Sequence, residues 1–518
     1  MARASSASRD RDKRAGAAIA GWFLLVLALP RVVRLLYPEV WVEDDFYLES
    51  AYLVSIGMRP YLDFVHPHMP VLEWFTAGWI TLLGASHFSL EVLNETAIYA
   101  TSVLTCKLAY KAAGRRTAIC AAILYAFASL VFRYHVYERE CFVGVLAAGA
   151  ALAAMRDDLG TAAQAAIQAA LFTAACAIKL TAVVPAAAVL CFLAIVRRRW
   201  PDAILAGLGV AAGVAALSAV LYWHYGFEFV FQTFIFHFMK GRVPGWVVVN
   251  RARALLDVLA PLFILGIIRI ATEGRPSPAI WLTLMLVAFN YVFFGLLSPT
   301  SWGHNYVDFL PYVAIVAGLG LDRALGALRE ALNGPASGKR RQWSYVGASL
   351  ALSAVCLYAF APLINENWLR GSIYGFGFVP RDELRTLSEG LRRASAPDEE
   401  VIAPAFLCFE ANRRELIRYP ETYGVYREAE EEFRKDGFSK ARENLGRADF
   451  FDLIHSTARY WTAPIRQAID DGKVNAIIPD SPVQLLPLVS PTPDELAARG
   501  FVPYVRTDHF VLWRRIRR

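Results

Sequence analysis

MPVLEWFTAGWITLLGAS, residues 69–86, is the block whose reading decides the fold. It is apolar enough to enter a bilayer, and if it crosses, every later loop changes sides. The other apolar blocks are 16–36, 96–112, 117–132, 142–156, 162–178, 181–196, 202–223, 254–271, 279–297, 309–322 and 343–363. Their lengths predict a polytopic α-helical membrane protein with about eleven transmembrane helices. Sidedness follows from the basic breaks at Lys107–Arg116, Arg197–Arg199 and Lys339–Arg341, which the positive-inside rule places in the cytoplasm. With a cytoplasmic N-terminus, block 69–86 must then lie along the outer interface. Glu73 and the pair Trp74 and Trp79 suit an interfacial helix. The outer loops become 37–95, 133–141, 178–181, 224–253 and 297–308, with everything after about 364 also outside.

The composition agrees. The chain has 518 residues, 56% hydrophobic and 19% charged, where a soluble protein carries about 25% charged residues. Residues 1–15 form a basic cytoplasmic tail, 16–363 the membrane domain, and 364–518 a soluble extracytoplasmic domain. The first apolar run lacks a small-residue cleavage site, so it reads as a retained signal anchor in a multi-pass protein of the inner (cell) membrane. The net charge of +7 sits mainly in short breaks between apolar blocks, which argues against a nucleic-acid partner. The seven cysteines show no CxxC pairing, so neither a disulfide framework nor a zinc site is indicated.

The C-terminal region reads as alternating α/β. Helices are expected over 381–395 and 427–444, and strands over 399–408, 448–455, 474–480 and 504–514. No Gly-rich phosphate loop opens any of its helices. GLGVAAG (207–213) has the wrong spacing for a dinucleotide fingerprint and lies inside a span, where small residues serve helix packing.

The unusual chemistry lies in the first outer loop, WVEDDFYLESAYLVSIGMRPYLDFVHPHMP (41–70). Glu43, Asp44 and Asp45 are adjacent carboxylates, which repel one another unless solvated or held against a cation, a metal or a substrate hydroxyl. Asp63, His66 and His68 follow among aromatics, as in a folded loop. A second polar loop, FRYHVYERECF (132–142), carries Glu138, Arg139 and Glu140. Lys179 ends a span at the outer surface, where a lysine either snorkels or serves a function. Lys240, Arg242 and Arg251 add cations in the 224–253 loop, and His237 and His304 are further candidate donors.

The order DDFY (44–47), RPYLDFVHPHMP (59–70), then an apolar interfacial helix resembles the first loop of the GT-C membrane glycosyltransferases. It is most similar to the branch with protein O-mannosyltransferase-like enzymes, lipid A aminoarabinose transferases and rhizobial lipopolysaccharide-core transferases. AIKLTAVVP (177–185) and SPTSWGHNYVDFLPYVAIVAGLGL (298–321) agree with that family's order. The proline pair usual before the interfacial helix is broken here, as His66-Pro67-His68-Met69-Pro70.

The resemblance implies an inverting transfer of a sugar, hexose or pentose, from a polyprenyl phosphate donor to a lipid, glycan or protein acceptor. It gives the role of catalytic base to Asp44 or Asp45, with Asp44 favoured. Glu43, Asp63, His66, His68, Glu138, Arg139, Glu140, Lys179, Lys240, Arg242 and His304 are the expected substrate-binding residues. The leaving phosphate carries its own charge, so no cofactor is required, although the three acids could hold a divalent metal. The alternative classes are a secondary transporter or lipid flippase, and a non-catalytic receptor. Transporters favour internal repeats and mid-membrane ionisable groups, whereas this chain has no repeat and keeps its acids in outer loops.

Overall fold

The computed structural model describes residues 21, 23–36, 39–41, 46–131, 137–239, 241, 245–298, 309–333, 378–416, 420–448, 452–453, 456–479 and 491–516. Each described apolar block is helical, as it must be where no water is present to satisfy backbone groups. In chain order the elements are α1 (23–35), the strand β1 (Glu39–Trp41), α2 (Phe46–Ser55), α3 (Val71–Leu83), α4 (His87–Ala113), α5 (Arg115–Val131), α6 (Arg139–Ala154) and α7 (Thr161–Ile178). There follow α8 (Leu180–Val196), α9 (Trp200–Tyr225), α10 (Phe227–Met239), α11 (Gly245–Thr272), α12 (Pro278–Leu297) and α13 (Leu310–Asn333). Four of these, α7, α9, α12 and α13, are long and apolar enough to cross a membrane by length and composition. The block 343–363 lies outside the described residues.

Small residues set the closest helix crossings. A Cβ on Gly320 would collide with the Leu262 carbonyl, and one on Gly266 with the Val316 carbonyl. The backbones of α11 and α13 therefore touch directly, the way membrane helices pack without a hydrophobic driving force. Helix α9 is the contrast. Its apolar window is only 17% buried, and Trp200 at one end and Tyr222 and Trp223 at the other are exposed. Aromatics at both ends of an exposed apolar helix suit a lipid-facing span.

Arg31 and Arg34, inside the apolar run of α1, are explained by a partner helix. Arg31 pairs with Glu95 at 3.0 Å and Arg34 with Glu91 at 3.2 Å, all four side chains being buried. The four-residue spacing on α4 and three-residue spacing on α1 place both pairs on facing stripes. Charge inside the membrane domain is tolerated because it is paired.

Two polar faces are fixed by contacts. Ser277 bonds the Ala112 carbonyl, Thr117 and Arg269 bond Asp322, and Arg197 pairs with Asp157. These tie the end of α4 to the start of α12, the start of α5 and the end of α11 to Asp322 of α13, and the end of α8 to the loop after α6, each contact carrying or neighbouring an arginine. On the other face, β1 pairs antiparallel with β2 (Phe378–Pro380), with Val40 opposite Val379. Arg381 reaches Glu91 at 2.6 Å, and the His87 N–H donates to Glu410 at 2.9 Å. The described residues among 378–516 therefore sit on the face that carries the first loop. Helix α3 begins and ends on that face: Met69 before it bonds the start of α6, and His87 after it bonds Glu410. Its 13 residues extend about 20 Å, short of a hydrocarbon core of about 30 Å.

Beyond β2, helix α14 (Arg381–Ala394) covers the expected 381–395. The run 399–408 is not one strand. It gives only β3 (Glu400–Val401), after which Pro404 opens α15 (Ala405–Ala411), because proline's fixed φ suits a helix start and breaks a ladder. β3 pairs in parallel with β4 (Arg414–Glu415). α16 (Pro420–Gly446) contains the expected charged helix and is interrupted at Gly437, whose φ of 75° favours glycine. α17 (Arg459–Asp470) leads to β5 (Ala476–Ile477), and α18 (Pro493–Ala498) follows. The expected strand 504–514 is instead a hairpin, β6 (Phe501–Arg506) and β7 (Val511–Arg515), folded at Thr507. Most of 448–455 lies outside the described residues, and 452–453 are helical.

Candidate active site

A cation opening a helix is placed against the dipole and needs a counter-charge. Arg139 is the first residue of α6, and it is fully buried. Its counter-charge is Glu73 in the first turn of α3, also fully buried and in direct contact through Nη2. The same Nη2 lies 3.3 Å from His66 Nε2, while Nη1 donates to the Met69 and Ile178 carbonyls, each at 3.2 Å. The guanidinium stacks 4.5 Å from the centre of the Tyr47 ring on α2. One side chain thus gathers α2, the 61–69 loop, α3, α6 and the end of α7.

His66 is held on every side. Its Nε2 is 3.5 Å from Glu73, its Nδ1 is 3.4 Å from the Ser50 hydroxyl, and its backbone N–H donates to Gln232 at 2.7 Å. His68, partly exposed, faces the Tyr47 hydroxyl at 3.4 Å and the ring of His237 at 5.4 Å between centres. Lys179 breaks the chain between α7 and α8 with an extended φ of −150°. It is buried and pairs with Glu140, the second residue of α6. Glu138, just before α6, is also buried.

Burial lowers the affinity of His66 for a proton, keeping it below the usual value of 6.5. His68 is held well below 6.5 by desolvation and then by the Arg139 cation, with the neighbouring imidazoles and Lys179 opposing a further positive charge. In the fold both imidazoles take up a proton less readily than in an unfolded chain, which binds protons below pH 6.5. The unfolded state then holds more protons, so stability falls with pH below 6.5 and is flat above it. Unfolding in detergent is expected to be steady from pH 8 to 7. Below 6.5 it should lose up to about 1.4 kcal/mol per unit for His66 alone. A His66→Gln variant should show a shallower acid limb in the same melts, and an unchanged limb would remove His66 from this account.

Of the expected site residues, the structure brings together His66, His68, Glu138, Arg139, Glu140 and Lys179. Asp63 is turned to Arg59 instead: its carboxylate accepts from the Arg59 backbone N–H at 2.7 Å and pairs with the guanidinium at 3.0 Å. That contact closes the exposed turn before the histidines. Glu43, Asp44, Asp45, Lys240, Arg242 and His304 lie outside the described residues, as does the side chain of Arg251. Among the described residues, no group of three or more His, Cys, Asp or Glu is arranged to hold a metal ion. Tyr47, Ser50 and Gln232 were not singled out by sequence. Glu73 carried a usable signal, because an acid inside an apolar block requires a buried partner.

No family model matches the chain, and no curated protein matches it. Its fold is that of the GT-C membrane glycosyltransferases, as the first loop's sequence led us to expect. The chain is similar to ArnT from Cupriavidus metallidurans bound to undecaprenyl phosphate, with a TM-score of 0.60 and 13% identity, over 95% of this chain and 98% of that one. The apo form of that protein gives 0.59 at 14% identity, over 96% and 98%. The arabinofuranosyltransferase AftD from Mycobacteria gives 0.51 at 13% identity, over 95% of this chain and 40% of that chain.

Proposed function

We propose that the chain is an inverting glycosyltransferase that moves a sugar from a polyprenyl phosphate donor to a lipid, glycan or protein acceptor. The reaction is assigned to the outer face of the cytoplasmic membrane. The observation that carries this reading is the buried set Arg139, Glu73, His66, Lys179 and Glu140. It gathers at the helix ends of a fold shared with a protein solved with undecaprenyl phosphate. Orientation is inferred from the opposite face, where Arg115, Arg116, Arg156, Arg197, Arg199 and Arg269 collect and suit the cytoplasm.

In the proposed step, Asp44 or Asp45 takes the acceptor hydroxyl proton as the acceptor oxygen attacks the anomeric carbon. The bond from that carbon to the phosphate oxygen breaks, and polyprenyl phosphate leaves with the electron pair. Trp41 ends β1 and Phe46 opens α2, so the acids lie within a few residues of Tyr47, which stacks on Arg139. Lys179 meets the leaving phosphate in exchange for its contact with Glu140, aided by cations of the 240–251 segment.

Purified protein in nanodiscs, given labelled polyprenyl phosphate sugars, should release polyprenyl phosphate in step with acceptor labelling. Lipid or solute translocation by the same preparation, without any bond cleavage, would replace the enzyme with a transporter. Within the assay, Lys179→Ala is expected to weaken donor use by about 1–3 kcal/mol, the loss of a charge-assisted contact. Lys179→Arg should retain most of it. Identical donor kinetics for wild type and the Ala variant would leave Lys179 as a structural partner of Glu140 with no part in donor binding.

A further inference from the structure

Helix α10 lies in a segment that reads in sequence as an outer loop, yet it grips the histidine loop through that loop's backbone. Gln232, buried, accepts from the His66 N–H at 2.7 Å and donates to the Tyr61 carbonyl at 2.9 Å. Thr233 donates to the His68 carbonyl at 3.5 Å, and His237 Nε2 donates to the Pro67 carbonyl. Because a carbonyl only accepts, that nitrogen of His237 carries a proton. The helix takes π geometry over Phe231–Ile235. Such a turn, bonded from i to i+5, brings Gln232 and His237 toward one face.

The grip continues away from the membrane domain. Tyr426 on α16 donates to Glu228 at 2.8 Å, and Gln232 Nε2 lies 3.4 Å from both the Tyr426 hydroxyl and Glu228. The Tyr426 and Phe231 rings meet edge-on at 5.5 Å between centres. A continuous polar chain therefore runs from the C-terminal region through Glu228 and Gln232 to the His66 backbone.

We infer that Gln232 is a positioning residue that sets the 61–69 loop, and with it His66 and His68, against the Arg139–Glu73 pair, and that Tyr426 holds Gln232 in place from the C-terminal region. The catalytic part of this inference rests on the transferase reading; the grip itself does not. Misplacement of reacting groups by about 1 Å costs about 100-fold in rate, so a side chain that holds the loop only through its backbone can still govern turnover.

Gln232→Leu keeps the bulk and removes every hydrogen bond. Gln232→Glu keeps the acceptor for His66 but sets a second carboxylate beside Glu228. In hydrogen–deuterium exchange of the full-length protein in nanodiscs, Gln232→Leu should speed exchange of peptide 61–69 about 10-fold or more, with peptide 46–55 unchanged. In the transfer assay both variants should lower kcat about 10- to 100-fold, and Tyr426→Phe should lower it less. Among variants that melt like wild type in detergent, a double-mutant cycle of Gln232→Leu with His66→Ala should be non-additive. Unchanged exchange in 61–69 overturns the grip. Faster exchange with normal kcat, or additive effects in the cycle, overturns the positioning role. An inactive wild type overturns the transferase reading, and the grip is then judged on exchange alone.

Discussion

Asp44→Asn is expected to lower turnover by about 100- to 10,000-fold, the usual contribution of a general base. The variant keeps the shape and hydrogen-bonding atoms of the side chain and removes only its basicity. Insertion in the membrane and binding of donor should therefore be unchanged. Asp45→Asn is expected to be milder, because Asp45 is assigned to orienting the acceptor or its neighbour, and Glu43→Gln milder still. The measurement is single-turnover sugar transfer at saturating acceptor. A reversed ranking would exchange the roles of Asp44 and Asp45. Near-normal rates in both Asp variants would make the triplet a solvated loop and move the search for the base to Glu138 and Glu140, buried at the start of α6.

The residues most legible in sequence were those that break a local rule. Lys179 ends an apolar block, Arg139 sits between two acids, and the two histidines flank a proline just before an apolar helix. Each violates the apolar or solvated pattern around it, and such violations mark sites. What the sequence concealed is who meets whom. Arg139 finds Glu73 across 66 positions, Lys179 finds Glu140 across 39, and Arg34 finds Glu91 across 57. No periodicity encodes a contact of that range. The segment of helix α10 reads as loop because its apolar block is short and lies between basic and glycine-rich breaks. The run 399–408 reads as a strand because an apolar run of that length fits either a strand or a buried helical turn. There Pro404 was the deciding residue. Gln232 is invisible in sequence for a different reason: it holds the histidine loop through the backbone groups of Tyr61 and His66, which leave no trace in side-chain pattern.

Arg139→Met is expected to destabilise the folded protein by about 3–5 kcal/mol, since it strands a buried carboxylate. Glu73 and Arg139 are both fully buried, so neither charge can recover solvation when its partner is lost. Glu73→Leu should cost a similar amount by stranding the guanidinium, although the Met69 and Ile178 carbonyls still accept from it. The double variant Arg139→Met/Glu73→Leu removes both charges together, and replacing a buried pair by apolar groups is often near neutral. Its stability in detergent unfolding should therefore return most of the way to wild type, giving a coupling of several kcal/mol in the cycle. Sugar transfer should not return with it. The guanidinium is also the plate under Tyr47 and the neighbour of His66 Nε2, and a methionine supplies neither contact. Recovery of stability together with activity would make the pair a packing element; additive losses in the cycle would mean that the two charges do not hold each other in the folded protein. Stability regained without turnover is the outcome that separates a pair kept for the reaction from one kept for the fold.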